Sequence, residues 1–330
     1  MKIDFYNNLA DKGNNFDRYT IDTQAQLDDI VKHWTTSDNT KNFIFRGVTE
    51  AKYKLYNSAQ RSWKTYELAN LGKTFQDFIQ TEVDKAKAFQ NNLLTKFYNA
   101  FGHTAYDLSI LSFLQHYGAP TPLLDWTYNF DNALFFGIDG LKHNPSSDID
   151  NYFSIYAIDL RWHEFISITT HLENSLDQID RILREYPAAD AKEVLGRIEN
   201  LNYSYFHDLK LFYLPGYTSG GIFFGINSRP TFKLVYNQHN LNIINQEGLF
   251  VFNSDPDHPL EDYFKGKNNS SFDGTFYIPK IICFDIHKSL DEYVKRHLTE
   301  GRAIPIDKDF IYPQEENIAK TSFIEYKNLK

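Results

Sequence analysis

Cysteine is almost absent from this chain: one residue, Cys283, in 330. That excludes an intrachain disulfide framework and a cysteine-rich zinc site. Cys283 sits in the apolar run IICFDI and reads as a buried core thiol. No run of 18 apolar residues occurs, so no membrane-spanning helix is expected. The opening MKIDFYNNLADKGNN lacks the apolar core of a secretory signal, and a reducing cytoplasm is the expected location. Positive charge is short as well. Lys and Arg total 34 against 43 Asp and Glu, a net charge of −9, whereas sequence-blind nucleic-acid binding needs a basic face. There is no GxGxxG, no P-loop, no GxSxG and no HExxH. There is also no internal repeat.

Aromatic rings are plentiful, with 28 Phe and 22 Tyr. The core is expected to be built from them, with some Tyr left to line a site. Hydrophobic residues at 42% and charged residues at 23% are a globular composition. A chain of this length buries roughly three quarters of its unfolded surface without needing a disulfide or metal staple.

Periodicity gives the elements. A short helix is predicted around 22–34 and a strand at 41–48, closed by Gly47. Helices follow at 74–94 and 104–116, the second stopped by Gly118 with Pro120 and Pro122 beyond. Leu123–Thr127 reads as extended. Asn129 is a candidate N-cap for a helix from Phe130 to about Leu141. SIYAIDL at 154–160 reads as a strand and 172–212 as largely helical. From Gly221 onward IFFGI, TFKLVY, LFVF, TFYIP and KIICFDI read as strands, and 288–299 as a helix. Strands cluster late and helices form inserts, which favours an α+β fold over a regular βαβ series. The expected organisation is a helical extension over 1–40 and a domain over 41–330, a strand-rich mixed or antiparallel sheet with helical inserts near 62–114 and 161–212.

Three segments carry candidate chemistry. Arg46 ends an apolar strand just before Gly47, where a guanidinium can grip a phosphate or carboxylate bidentately; an ion pair with a carboxylate such as Asp125 is the structural alternative. In QHYGAPTPLLDWTYNFDNALFFG, Gln115 and His116 end a helix whose dipole favours a cationic imidazole. Asp125 and Thr127 share one side of an extended chain, away from Trp126. Thr127 stands before a helix N-terminus, where a phosphate or a ribose hydroxyl is well received, or else it only helps the turn. In NIINQEGLFVF, Gln246 or Glu247 could polarise a sugar hydroxyl or act as a base, or simply start a strand. Asp255, Asp257 and His258 fall in an Asp/Pro loop, a better reading than a metal site. No metal is expected.

FIFRG at 43–47, QHYGAPTPLLDWT at 115–127 with NFDNALFFG after it, and NQEGLF at 245–250 resemble the FRG domain, named for its Phe-Arg-Gly signature. The resemblance covers about 41–253 and reaches in weaker form to the IYPQ segment. It departs from the family's pattern at Asn242, where Arg is frequent, and at Tyr312 and Gln314, where Phe and Asp are usual. Members look like bacterial and phage proteins of defence systems. A second, weaker resemblance is to NAD-dependent ADP-ribosyltransferases, which implies a split sheet. It also implies an NAD substrate gripped by Arg46, with Thr127 on the ribose and Glu247 or Gln246 on its 2′-hydroxyl. Gln115, His116, Tyr117, Asp125 and Tyr128 would complete the nucleotide site, a tyrosine stacking on nicotinamide. Asp125 lies outside that family's usual set and leaves a hydrolytic reaction open. The resemblances thus imply an NAD-consuming transferase or glycohydrolase acting as a toxin in defence. A non-catalytic module that senses a nucleotide or phage protein, and a metal-dependent nuclease or phosphodiesterase, are the alternatives. The acceptor and the oligomeric state stay open.

Overall fold

The computed structural model describes residues 3–36, 42–100, 105, 107–159, 222–225, 241–253, 255–264, 268–271, 274–277 and 280–314. The predicted helix at 172–212 and the predicted strand TFKLVY lie outside these residues. The fold is α+β, as expected. Its seven-stranded sheet comprises β1 (Asp17–Ile21), β2 (Phe43–Val48), β3 (Leu123–Thr127), β4 (Tyr152–Asp159), β5 (Ile222–Gly225), β6 (Gly248–Phe252) and β9 (Ile282–His287), in the order β1-β9-β4-β2-β3-β6-β5. β1 and β9 run parallel and every other pair antiparallel, so the sheet is mixed. β7 (Asn268–Ser271) and β8 (Gly274–Tyr277) form a separate two-stranded antiparallel ladder.

The register is set by the alternation of rings and aliphatics, since a slip of one residue would turn every side chain to the wrong face. On one face Phe45, Phe153, Ile155, Ala157 and Phe284 pack under α2 (Gln24–Thr36), α6 (Phe130–Ile138) and α8 (Asp291–Thr299) through Trp34, Phe130, Leu134 and Val294. Ile44, Leu124, Trp126, Tyr156, Leu249 and Cys283 occupy the opposite face with Tyr6, Phe16 and Leu55. A third cluster sets α3 (Ser58–Thr65), α4 (Phe75–Ala100) and α5 (Asp107–His116) against Leu123, Phe250 and Phe252. α1 (Leu9–Gly13), α7 (Leu241–Asn245) and α9 (Lys308–Ile311) are short.

Two expectations need correction. The first 40 residues are not a helical extension, because β1 pairs with β9 along its whole length and joins the main sheet. Lys12, just before β1, is fully buried on Asp285 and Ser154 of that sheet. Secondly, the helix read over 74–94 runs on to Ala100 but is broken at Phe89–Asn92, where Gln90, Asn91 and Asn92 take left-handed φ of 42°, 57° and 61°. Asn tolerates that conformation better than most residues. The stop at Gly118 holds, with a φ of +77° that glycine adopts without a side-chain clash.

Candidate active site

β2 and β3 meet at a single backbone pair, Phe45 with Thr127, and then diverge. The two residues of β2 that follow this pair explain the Arg-Gly dipeptide. A Cβ on Gly47 would collide with the carbonyl oxygen of Ala133 and the amide nitrogen of Gly137, and stand 2.9 Å from the carbonyl carbon of Phe136. Only a hydrogen there lets α6 lie directly on β2. Arg46 alternates onto the other face, beside Ile44 and opposite Tyr156. Its guanidinium enters the fork and donates from Nη1 to the main-chain oxygen of Asp125 at 2.5 Å. The Asp125 carboxylate is farther off, with Oδ2 at 3.9 Å from Nη1.

Asp125 belongs to the other side of β3 and is half exposed, its side chain 52% accessible. Gln115, at the end of α5, donates to its Oδ2 at 2.6 Å and accepts from the Thr121 hydroxyl. The Thr121 amide in turn donates to the Ser58 hydroxyl oxygen at 2.9 Å, which tethers α3 to the start of β3. His116 faces Asn242 across 3.4 Å. Burial holds its pKa below the ordinary histidine value, and the Asp125 charge only partly opposes this. The cationic imidazole expected from the helix dipole is therefore disfavoured. Tyr117 is exposed, with its ring 4.6 Å from that of Phe113. Tyr128 packs against the buried cluster that holds Ile44 and Trp126, on Arg46's face of the sheet.

Thr127 does not share a face with Arg46. It lies directly opposite Phe45, and the neighbour of a strand residue points the other way. It is fully buried, and its hydroxyl donates to the main-chain oxygen of Gln246 at 2.6 Å while accepting from the Asn129 amide at 2.9 Å. Asn129 caps α6 as expected, accepting from Asp131 and Asn132. Its amide also donates to Glu247 Oε1 at 2.7 Å. The Tyr128 amide donates to the oxygen of Glu247 at 3.0 Å, and Asn132 donates to the oxygen of Asn245 at 3.0 Å. The TYNFDN and NQEG strings thus staple one turn to the other. Gln246 is drawn away, donating to the oxygen of Ile311 at 3.1 Å. Glu247 is exposed and sits at a left-handed φ of +46°, a conformation that costs a non-glycine residue of the order of 1 kcal/mol.

The sequence reading missed Arg61. It projects from α3, is exposed, and donates from Nη1 to the oxygen of Tyr56 at 2.5 Å. Crowding by protein atoms and the nearby Arg46 charge push its pKa below the ordinary arginine value. Only its spacing, fifteen positions after Arg46, was legible, and nothing in that spacing marks a shared site.

Asp255 and His258 bond each other at 3.0 Å, and Gln60 ties down the same loop through the oxygens of Asp255 and His258. Among the described residues no three His, Cys, Asp or Glu side chains are grouped to hold a metal. No helix among them is long and apolar enough to cross a membrane.

The site therefore belongs to an α+β protein whose polar groups gather where two central strands part. Residues 41–145 match the family model of the FRG domain, so the chain carries an FRG domain over that segment. The match includes Arg46, Gly47, the 115–127 string and α6; the NQEG turn lies beyond it. Neither the curated proteins nor the solved structures include a match.

Proposed function

We propose that the FRG domain and the NQEG turn together form an NAD-consuming site. The observation that carries this reading is lateral order. β2, β3 and β6 are consecutive neighbours, and Phe45, Thr127 and Gly248 stand abreast across them. Arg46 and Glu247 each adjoin that row. Arg46 would hold the ligand's phosphate, and Glu247, with one carboxylate oxygen bonded to Asn129, would take the ribose 2′-hydroxyl. Thr127 would act as a positioning residue, since its bonds fix the Glu247 turn. Gln115 and Asp125 border the fork, and with His116 and Tyr117 they would complete the nucleotide's surroundings.

The reaction breaks the bond between nicotinamide nitrogen and ribose C1′. Nicotinamide leaves with the bonding electrons, and C1′ becomes positive in the transition state. A carboxylate beside the ribose stabilises that charge, and water or an acceptor side chain forms the new bond and releases a proton. Removing one such group typically costs of the order of 2.7–4 kcal/mol of barrier. Arg46→Ala and Glu247→Gln are therefore each expected to slow nicotinamide release about a hundredfold or more while remaining folded. The test is chromatography of free nicotinamide after incubation with NAD, with a mass search for ADP-ribose on protein or nucleic acid. A role as a defence toxin adds the expectation that expression in bacteria depletes NAD and stops growth, and that Glu247→Gln relieves both.

A second reading is favoured by the engaged Thr127 hydroxyl: a nucleotide sensor without turnover. No nicotinamide release, together with a rise in melting temperature on adding NAD, would select it.

A further inference from the structure

Around Arg46, on its face of the sheet, several buried donors have no partner. Arg46 has five N–H groups, of which one is spent on the oxygen of Asp125. Its Nε is buried and has no partner. Tyr156, the direct cross-strand neighbour of Arg46, is fully buried and its hydroxyl has no partner. Trp126, on the same face in β3, is 2% exposed and its indole N–H has none either. Each of these atoms can donate, and a buried donor left unpaired costs about 1–3 kcal/mol.

Arg61 adds a second guanidinium with one N–H bonded to Tyr56. The chain of bonds from Ser58 through Thr121 and Gln115 to Asp125 holds α3, and with it Arg61, against this part of β3. The Asp125 charge acts on both guanidinia; its carboxylate is bonded to Gln115 and lies 3.9 Å from Arg46 Nη1, beyond hydrogen-bond distance. Two positive charges against one negative leave a local excess of one positive charge. A planar fork suits an anion with several equivalent oxygens.

We infer that Arg46 and Arg61 form a two-arginine clamp for a phosphoryl group, a diphosphate in the first place, with the Arg46 Nε turned inward toward it. For the identity of the natural ligand as a nucleotide, this inference rests on the NAD reading; the clamp itself does not. Arg61 is a binding residue in this scheme and touches no reacting atom.

The test is calorimetric titration of the full chain with pyrophosphate, ADP-ribose and adenosine, at low and at high salt. Pyrophosphate and ADP-ribose are expected to bind, more weakly as salt rises, and adenosine to bind at least about tenfold more weakly. Arg61→Ala should weaken pyrophosphate and ADP-ribose by about tenfold or more with its unfolding midpoint unchanged. Arg61→Lys should recover part of the loss, because an ammonium keeps the charge without the fork. Should Arg61→Ala fail to fold, the comparison of Arg61→Lys with wild type decides. Equal binding by wild type and the Arg61 variants, equal binding of adenosine, or no binding of pyrophosphate would overturn the clamp. Normal nicotinamide release with an unchanged KM in Arg61→Ala would overturn the clamp and leave the NAD reading standing. Arg61-dependent pyrophosphate binding without any turnover would do the reverse.

Discussion

Arg46 bonds the backbone of Asp125 and not its carboxylate: Nη1 lies 2.5 Å from the main-chain oxygen and 3.9 Å from Oδ2. The guanidinium therefore closes a gap in the sheet at the point where β2 and β3 separate. It leaves the carboxylate half exposed for other work.

That division makes the two residues separable. Asp125→Asn keeps the main-chain acceptor and an oxygen for Gln115, so stability should change by no more than about 0.5 kcal/mol. Arg46→Ala strands the carbonyl and should cost about 1–3 kcal/mol. Urea unfolding of both variants checks this. Equal losses would mean that the ion pair, and not the carbonyl bond, holds the fork.

Gly47→Ala should be among the most damaging single substitutions. The added methyl would meet backbone atoms of α6, which cannot rotate aside as a side-chain end can. A loss of about 3 kcal/mol or more is expected. Soluble yield and melting temperature report it, and a stable Gly47→Ala protein would mean that α6 does not lie on β2 as described.

Thr127 can be tested by hydroxyl and by shape. Thr127→Val keeps the volume but orphans the oxygen of Gln246 and the amide of Asn129, at about 1–3 kcal/mol for a buried group left unpaired. Thr127→Ser keeps both bonds and should lose less. If Thr127→Val abolishes nicotinamide release at full stability, the hydroxyl serves the ligand directly.

Glu261 predicts a pH dependence. It is fully buried, accepts from the Tyr6 hydroxyl at 2.6 Å and from the Leu55 amide at 3.1 Å, and has Asp262 nearby. Burial, opposed by these bonds and aided by Asp262, pushes its pKa up from 4.5 to about 7. Between those values the folded chain keeps a proton that the unfolded chain has released. The contribution to stability is thus whole below about pH 4.5, shrinks as pH rises and is gone above about 7, a change of roughly 3 kcal/mol. Glu261→Gln should flatten that part of the curve of urea midpoint against pH. Parallel curves for the two proteins would remove Glu261 as the cause.

What the sequence determined by itself was local. FIFRG and LLDWT carry the apolar character of buried strands, Asn129 has the short polar side chain that caps a helix, and Gly118 supplies the left-handed turn that ends one. These features depend on neighbours a few positions away, and they appear in the structure at nearly the predicted bounds. DRYTI at β1 carried too little apolar signal to be read as a strand; it became one because β9 offers it backbone partners and Asp285 a partner for Arg18. The break at Phe89–Asn92 was equally hidden under a continuing helical period. The site shows the same boundary. Its residue types were legible, but alternation about the Phe45–Thr127 pair put Arg46 and Thr127 on opposite faces, and the fold spent the Thr127 hydroxyl on a turn 119 residues away. Arg61 joined Arg46 only because α3 is tethered to β3. Partner choice between distant segments is set by the packing of whole faces, and no window along one chain contains it.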